Sequence, residues 1–176
     1  RLTDDELAHG VVAASAGNHA QGVALAASLG GTRATVFMPE SASLPKVEAT
    51  RRYGAEIVLT GKDFGEAYEA SRTFAEEQDA VFVHPYDHPH VIAGQGTIGL
   101  EILEQLPEAK TVVVPIGGGG LISGIAAAMK GTRPDVRIVG VQAAGAAAFP
   151  LSLDKGEIVS LDSVHTIAVG IAANAP

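Results

Sequence analysis

The sequence predicts an α/β protein of two lobes with open, mainly parallel sheets. Three observations carry that prediction. Short apolar runs alternate with helix-length segments from residue 10 to residue 142, the β-α-β order that lays helices over parallel strands. Two of those runs lead through small residues straight into an alanine-rich segment. Residues 10–14 lead into Ser15-Ala16-Gly17-Asn18-His19-Ala20-Gln21-Gly22, and residues 112–114 into Gly117-Gly118-Gly119-Gly120-Leu121-Ile122-Ser123-Gly124. Last, His84-Pro85-Tyr86-Asp87-His88-Pro89-His90 is polar and punctuated by proline, which suits a boundary. It divides a small lobe, residues 1–89, from part of a larger one, residues 90–176, with a cleft expected between them.

The elements follow in order. Thr3 and Glu6 stand at capping-box spacing and predict a short helical turn. Residues 10–15 read as a strand covered on both faces, because the run is continuous rather than alternating. Residues 20–29 predict a tightly packed helix stopped by Gly30-Gly31. Residues 34–38 form the next strand, followed by a loop through Pro39 and Pro45. Residues 46–53 predict a helix ending at Gly54, 56–59 a strand, 64–78 an amphipathic helix and 80–83 a strand. Beyond the boundary come a long helix over 91–106, a strand over 111–115, the glycine cluster, a helix over 121–129 and a strand over 137–142. Residues 143–153 fit helix or loop, and residues 166–176 show no closing element.

Composition narrows the function. A chain of 176 residues can bury a core in one domain or two small lobes. The formal charge of −8 argues against nucleic acid and against anionic membrane surfaces. No apolar run is long enough to span a bilayer, and no signal-peptide pattern opens the chain, so a cytoplasmic protein is expected. Without cysteine there is no thiolate nucleophile or thiolate metal site.

A strand, then small residues, then a helix start presents free backbone N–H groups and the positive end of a helix dipole to an anion. Four consecutive glycines let those groups close around a phosphate with no Cβ in the way. Two phosphate loops are excluded by the letters. A P-loop requires Lys after its last glycine, where Leu121 stands. The dinucleotide fingerprint requires a third glycine where Ile122 or Ser123 stands. In the first motif, Asn18 carries both a donor and an acceptor, suited to a phenolic oxygen. Ser15 and the N–H groups around Gly17 suit a carboxylate, although Ser15 or Asn18 could equally cap the helix. His84, His88 and His90 with Asp87 offer zinc-type donors against the plainer reading of a solvated loop; no metal site is assigned.

Four blocks now carry a resemblance: Ser15 to Gly22, the run Lys46-Val47-Glu48-Ala49-Thr50-Arg51-Arg52-Tyr53-Gly54-Ala55-Glu56, the run Ala93-Gly94-Gln95-Gly96-Thr97-Ile98-Gly99, and Gly117 to Gly124. In order and spacing they resemble the threonine dehydratases, of the serine/threonine dehydratase family of fold type II pyridoxal 5′-phosphate (PLP) enzymes, whose fold is tryptophan synthase beta-like. The likeness covers nearly the whole chain. His19 after Asn18 points to dehydratases and racemases rather than the cysteine synthase branch. The resemblance implies PLP as cofactor, with Asn18 on its ring hydroxyl, Gly117, Gly118, Gly119 and Gly120 on its phosphate, and Gly170 lining the ring. It implies that Ser15, Ala16, Gly17, Asn18 and His19 bind the carboxylate of a small amino-acid substrate. It also implies a homodimer or homotetramer that converts L-threonine, or L-serine, to an oxoacid and ammonia.

The departures refine the expectation. The family's Schiff-base lysine lies tens of residues upstream of the Ser15 block, and none of the fourteen residues before Ser15 is lysine. The chain therefore resembles the middle of such an enzyme, incomplete, with no catalytic residue assigned and no activity expected of it alone. Racemases usually carry a second serine where Ala16 stands, which favours dehydration over racemisation. Gln142 and Ala148 stand where racemase-like relatives place carboxylates for a divalent cation, and Val169 where the family has Asp. Serine racemase-like activity and a non-catalytic anion-binding module remain the alternatives.

Overall fold

A computed structural model describes residues 2–176. They form two compact units, the first ending at Pro85 and the second running from Tyr86 to Pro176.

In the first unit, α1 (Asp4–His9) begins with a capping box. Thr3 N donates to Glu6 Oε2 at 2.7 Å, and Glu6 N donates to Thr3 Oγ1 at 3.2 Å. Four parallel strands follow: β1 (Val11–Ala14), β2 (Ala34–Met38), β3 (Glu56–Leu59) and β4 (Val81–Phe82). Their order in the sheet is β3-β2-β1-β4, which puts β1 in the interior of the sheet. All four of its residues are buried, the burial its unbroken apolar run predicts.

Strand side chains alternate faces, and the two faces meet different helices. On one face Val11, Ala13, Val36 and Met38 pack with Ala20, Val23, Ala24 and Ala27 of α2 (Asn18–Gly30) and Val47 of α3 (Leu44–Arg52). On the other, Val12, Ala14 and Phe37 meet Ala75, Tyr68 and Phe74 of α4 (Phe64–Glu77). Alanines on α2 let the helix lie close to the sheet. Gly31, at φ 70°, ends α2 in the left-handed conformation that glycine adopts without a Cβ penalty.

In the second unit, α5 (Pro89–Gln105) leads to β5 (Thr111–Pro115), α6 (Gly120–Thr132) and β6 (Arg137–Val141). The two strands pair in parallel, Val112 with Ile138 and Val114 with Gly140. Val112, Val114 and Ile138 pack under Ile125 and Met129 of α6 and Ile102 and Leu103 of α5. The alternative left open for residues 143–153 resolves into a 3-10 turn, Ala144–Ala146, and a short helix α7 (Ala148–Lys155). Beyond α7 there is one further 3-10 turn, Val169–Ile171.

The α5–α6 crossing explains one sequence block. A Cβ on Gly124 would collide with Ile92 O and stand 2.7 Å from Gly96 N. One on Gly99 would stand 3.0 Å from Ile125 O. Gly96, Gly99 and Gly124 are therefore where two helix backbones touch, so the Ala93–Gly99 block and the end of the glycine cluster serve packing. Gly131 lies later in α6 with open space around its α-carbon. Gly131→Ala should stabilise the chain by about 0.5–1 kcal/mol, since alanine keeps the helix and restricts the unfolded chain; chemical denaturation reads this directly.

Candidate functional site

The first cradle forms where β1 gives way to α2. Ser15 N donates to Phe37 O at 3.1 Å, which carries the sheet one residue past the strand. Ser15 Oγ then accepts from Gly17 N–H at 3.1 Å. Gly17 is the N-cap, no side chain caps the helix, and Gln21 N makes the first helical bond, to Gly17 O at 3.3 Å. The N–H groups of Asn18, His19 and Ala20 thus lack intrahelical partners. The reading in which Ser15 or Asn18 caps α2 is overturned: the serine hydroxyl is taken up by the turn before the helix, and the Asn18 side chain is exposed.

His19 closes one side of this cradle. Its Nε2 lies 3.1 Å from Val83 O. A carbonyl only accepts, so Nε2 carries the proton and Nδ1 is left as an acceptor in the neutral ring. Burial pushes the His19 pKa below its ordinary value, the bond to Val83 opposes that, and nearby His84 adds to the depression. A neutral His19 offers an anion its backbone N–H rather than a positive charge. Linkage gives a test. The unfolded state takes up a proton near pH 6.5 while the folded state resists, so stability is complete above that pH and is lost as pH falls through it. Urea unfolding between pH 7.5 and 5.5 should show that loss, and His19→Gln, which does not titrate, should flatten it. An unchanged slope would remove His19 from the account.

The second cradle follows β5. Gly119 is the N-cap of α6 at φ 90°, again with no capping side chain, and Ser123 N makes the first helical bond, to Gly119 O at 3.0 Å. The N–H groups of Gly120, Leu121 and Ile122 are open. Elsewhere α1, α4 and α5 have side-chain acceptors at their starts, from Thr3, Asp63 and His88. Two helices led by glycine and left open at strand C-termini are the setting in which α/β sheets bind ligands.

Beside the second cradle lies a cavity of about 180 Å³, lined by residues 118–120, Ser123, Tyr86, Asp87 and Phe149 among others. No Lys or Arg lines it and Asp87 does, so backbone dipoles and the Ser123 hydroxyl would have to hold an anion there beside that carboxylate. The volume is below the roughly 300 Å³ of the smallest drug-sized pockets; it suits a phosphate end rather than a whole cofactor. A Cβ at Gly119 would stand 2.5 Å from Phe149 Cζ, and one at Gly120 2.6 Å from Tyr86 O. Only glycine fits this wall. The Gly170 turn comes up beside the start of the glycine run, with Ile171 Cα 3.3 Å from where a Cβ on Gly117 would stand, although neither Gly117 nor Gly170 lines this cavity. These residues fit a PLP phosphate.

The histidine-rich stretch does not gather. His84 packs edge-on against Tyr68 and Phe82. His88 caps α5, its Nδ1 accepting from His90 N at 3.2 Å. Among the described residues no group of three His, Asp or Glu side chains is placed to hold a metal ion, and no helix is long and apolar enough to cross a membrane. Sequence reasoning missed Tyr86 and Phe149 as walls of the cavity. Neither lies near the glycines in sequence, and no local pattern points to them.

The chain is an α/β protein whose uncapped, glycine-led helix starts lie at strand ends, a setting suited to phosphorylated cofactors. Over residues 1–176 it matches the pyridoxal-phosphate dependent enzymes, and it belongs to that family. It is 58% identical over 172 residues to an L-threonine ammonia-lyase of Geobacter sulfurreducens, covering 98% of this chain and 43% of that one. It resembles the processed form of threonine deaminase isoform 2 from Solanum lycopersicum at TM-score 0.93 and 44% identity, covering 99% of this chain and 51% of that one. It resembles maize serine racemase at TM-score 0.92 and 43% identity, covering 98% and 52%. The chain spans about half the length of the relatives it matches.

Proposed function

We propose that this chain forms the phosphate and carboxylate cradles of a PLP-dependent ammonia-lyase that converts L-threonine, and L-serine, to the corresponding oxoacid and ammonia. The observation that carries the reading is the pair of open, glycine-led helix starts in a chain 58% identical to an L-threonine ammonia-lyase. Bound pyridoxal phosphate supplies the electron sink that lets a substrate lose its α-proton and β-hydroxyl.

The chain's own residues hold and orient. The N–H groups of Gly120, Leu121 and Ile122, with Gly117, Gly118 and Gly119 leaving room, hold the phosphate, and Gly170 keeps the ring's side of the turn free of a side chain. The N–H groups following Ser15, Ala16 and Gly17, at Asn18 and His19, hold the substrate carboxylate, and the Asn18 carboxamide meets the ring hydroxyl. Proton transfer at the α-carbon is assigned to no residue of this chain. Ala16 supplies no hydroxyl at the position before Gly17 that could return a proton to the opposite face, and the Ser15 hydroxyl is held by Gly17 N–H at 3.1 Å, which favours dehydration over racemisation.

The test is product analysis with the PLP-loaded full-length protein. L-Threonine should yield 2-oxobutanoate and ammonia in equal amounts, read by a keto-acid assay. D-Serine formed from L-serine with no pyruvate would make the protein a racemase instead, and tight phosphate binding with no turnover would leave a binding module.

A further inference from the structure

Gln142 follows β6 directly, at the end of the sheet where Ile116 N donates to Val141 O at 2.8 Å and the chain enters the glycine loop. Its side-chain oxygen accepts from Phe149 N–H at 3.0 Å. Phe149 is the second residue of α7, whose N-cap is Ala147 and offers no acceptor. That bond settles the orientation of the carboxamide, since an amide NH₂ cannot accept. Nε2 is then the end left over: it is buried and has no hydrogen-bond partner among the described residues. An unmet buried donor costs more than an ordinary hydrogen bond returns. An aliphatic side chain would therefore suit the interior better, unless the acceptor end has a task.

The task lies one step away. Phe149 is a wall of the cavity beside α6, and its Cζ stands 2.5 Å from the position of a Cβ on Gly119. Gly119 is the residue whose φ of 90° turns the loop into the helix. Gln142 is not itself a lining residue. We propose that Gln142 is a positioning residue for the phosphate cradle, acting through Phe149: its side-chain oxygen fixes the first turn of α7, and so sets the ring against the glycine loop. The proposal rests on the reading that this cavity takes the cofactor's phosphate.

Pyridoxine 5′-phosphate and pyridoxine differ only in the phosphate, so the ratio of their affinities reports the cradle and leaves the aldehyde chemistry out. Calorimetric titration of the full chain, Gln142→Met, Phe149→Leu and the double variant gives a double-mutant cycle. Methionine keeps the length and removes both the acceptor and the unmet donor. Each single variant should lower the ratio about 5–10-fold, with pyridoxine affinity unchanged within about twofold. The double variant should be no worse than the worse single, because both act through one ring. Equal loss for both ligands, or additive losses in the cycle, would overturn the proposal. So would a Gln142→Met chain that fails to fold, since the account gives Gln142 no part in the core. Phe149→Leu leaves Gln142 in place and must show the phosphate-selective loss by itself. Equal affinity of the unmutated chain for the two ligands would sink the phosphate reading; a preference that Gln142→Met leaves undiminished would sink only the role of Gln142.

Discussion

Gly119→Ala should weaken binding of a pyridoxine phosphate ester on the order of 10–100-fold. Two costs combine. At φ 90° an alanine pays roughly 1–2 kcal/mol for left-handed backbone. Its methyl group would also stand 2.5 Å from Phe149 Cζ, so the ring must swing away from the wall it forms. Relaxing the backbone instead turns the N–H groups of Gly120, Leu121 and Ile122 off the anion. Either response spends about 1.4–2.8 kcal/mol of the binding energy. Fluorescence titration reads the loss, and Gly131→Ala, in the same helix but away from the cavity, is the control that should bind as the parent does. Unchanged affinity in Gly119→Ala would mean that the glycine loop does not hold the phosphate.

Gly124→Ala should unfold the second unit far more readily, although it adds one methyl group. That methyl would run into Ile92 O and Gly96 N. Both are backbone atoms of α5, so no side chain can swing clear and the two helices must separate. Separation opens the packing of Ile125 and Met129 against Ile102, Leu103 and Val114. Overpacking of this kind costs about 3 kcal/mol. In a unit of this size that is on the order of 12–24 °C in Tm. Differential scanning calorimetry should show the second unit melting early and the transition of the first unit, built on its own sheet, little moved. A Gly124→Ala chain as stable as the parent would mean that α5 and α6 do not cross at these glycines.

Both effects trace to one run of letters, which shows what a sequence displays and what it conceals. The unit of strand, glycine and helix was legible because unbroken apolar runs and glycine clusters each have a local physical cause. The limits of β2, β3 and β5 coincide with the apolar runs at 34–38, 56–59 and 111–115. Less legible was the division of labour inside the glycine cluster. Residues 117–120 make the cradle, whereas Gly124 faces Gly96 on another helix. The four-residue step from Gly120 to Gly124 and the three-residue step from Gly96 to Gly99 put small residues on shared helix faces. That signal was available for the crossing. No comparable signal existed for Phe149. Helix α7 is eight residues long and starts without a capping side chain of its own, so nothing local marks where it begins. Its second residue, Phe149, is held by Gln142, seven residues earlier in the chain.

The most direct measurement is a backbone amide NMR titration of the chain with pyridoxine 5′-phosphate. The largest shifts should fall on the amides of residues 117–122, and pyridoxine without the phosphate should leave them in place. Shifts concentrated elsewhere, or none at these amides at saturating ligand, would contradict the central claim that the open start of α6 is the phosphate site.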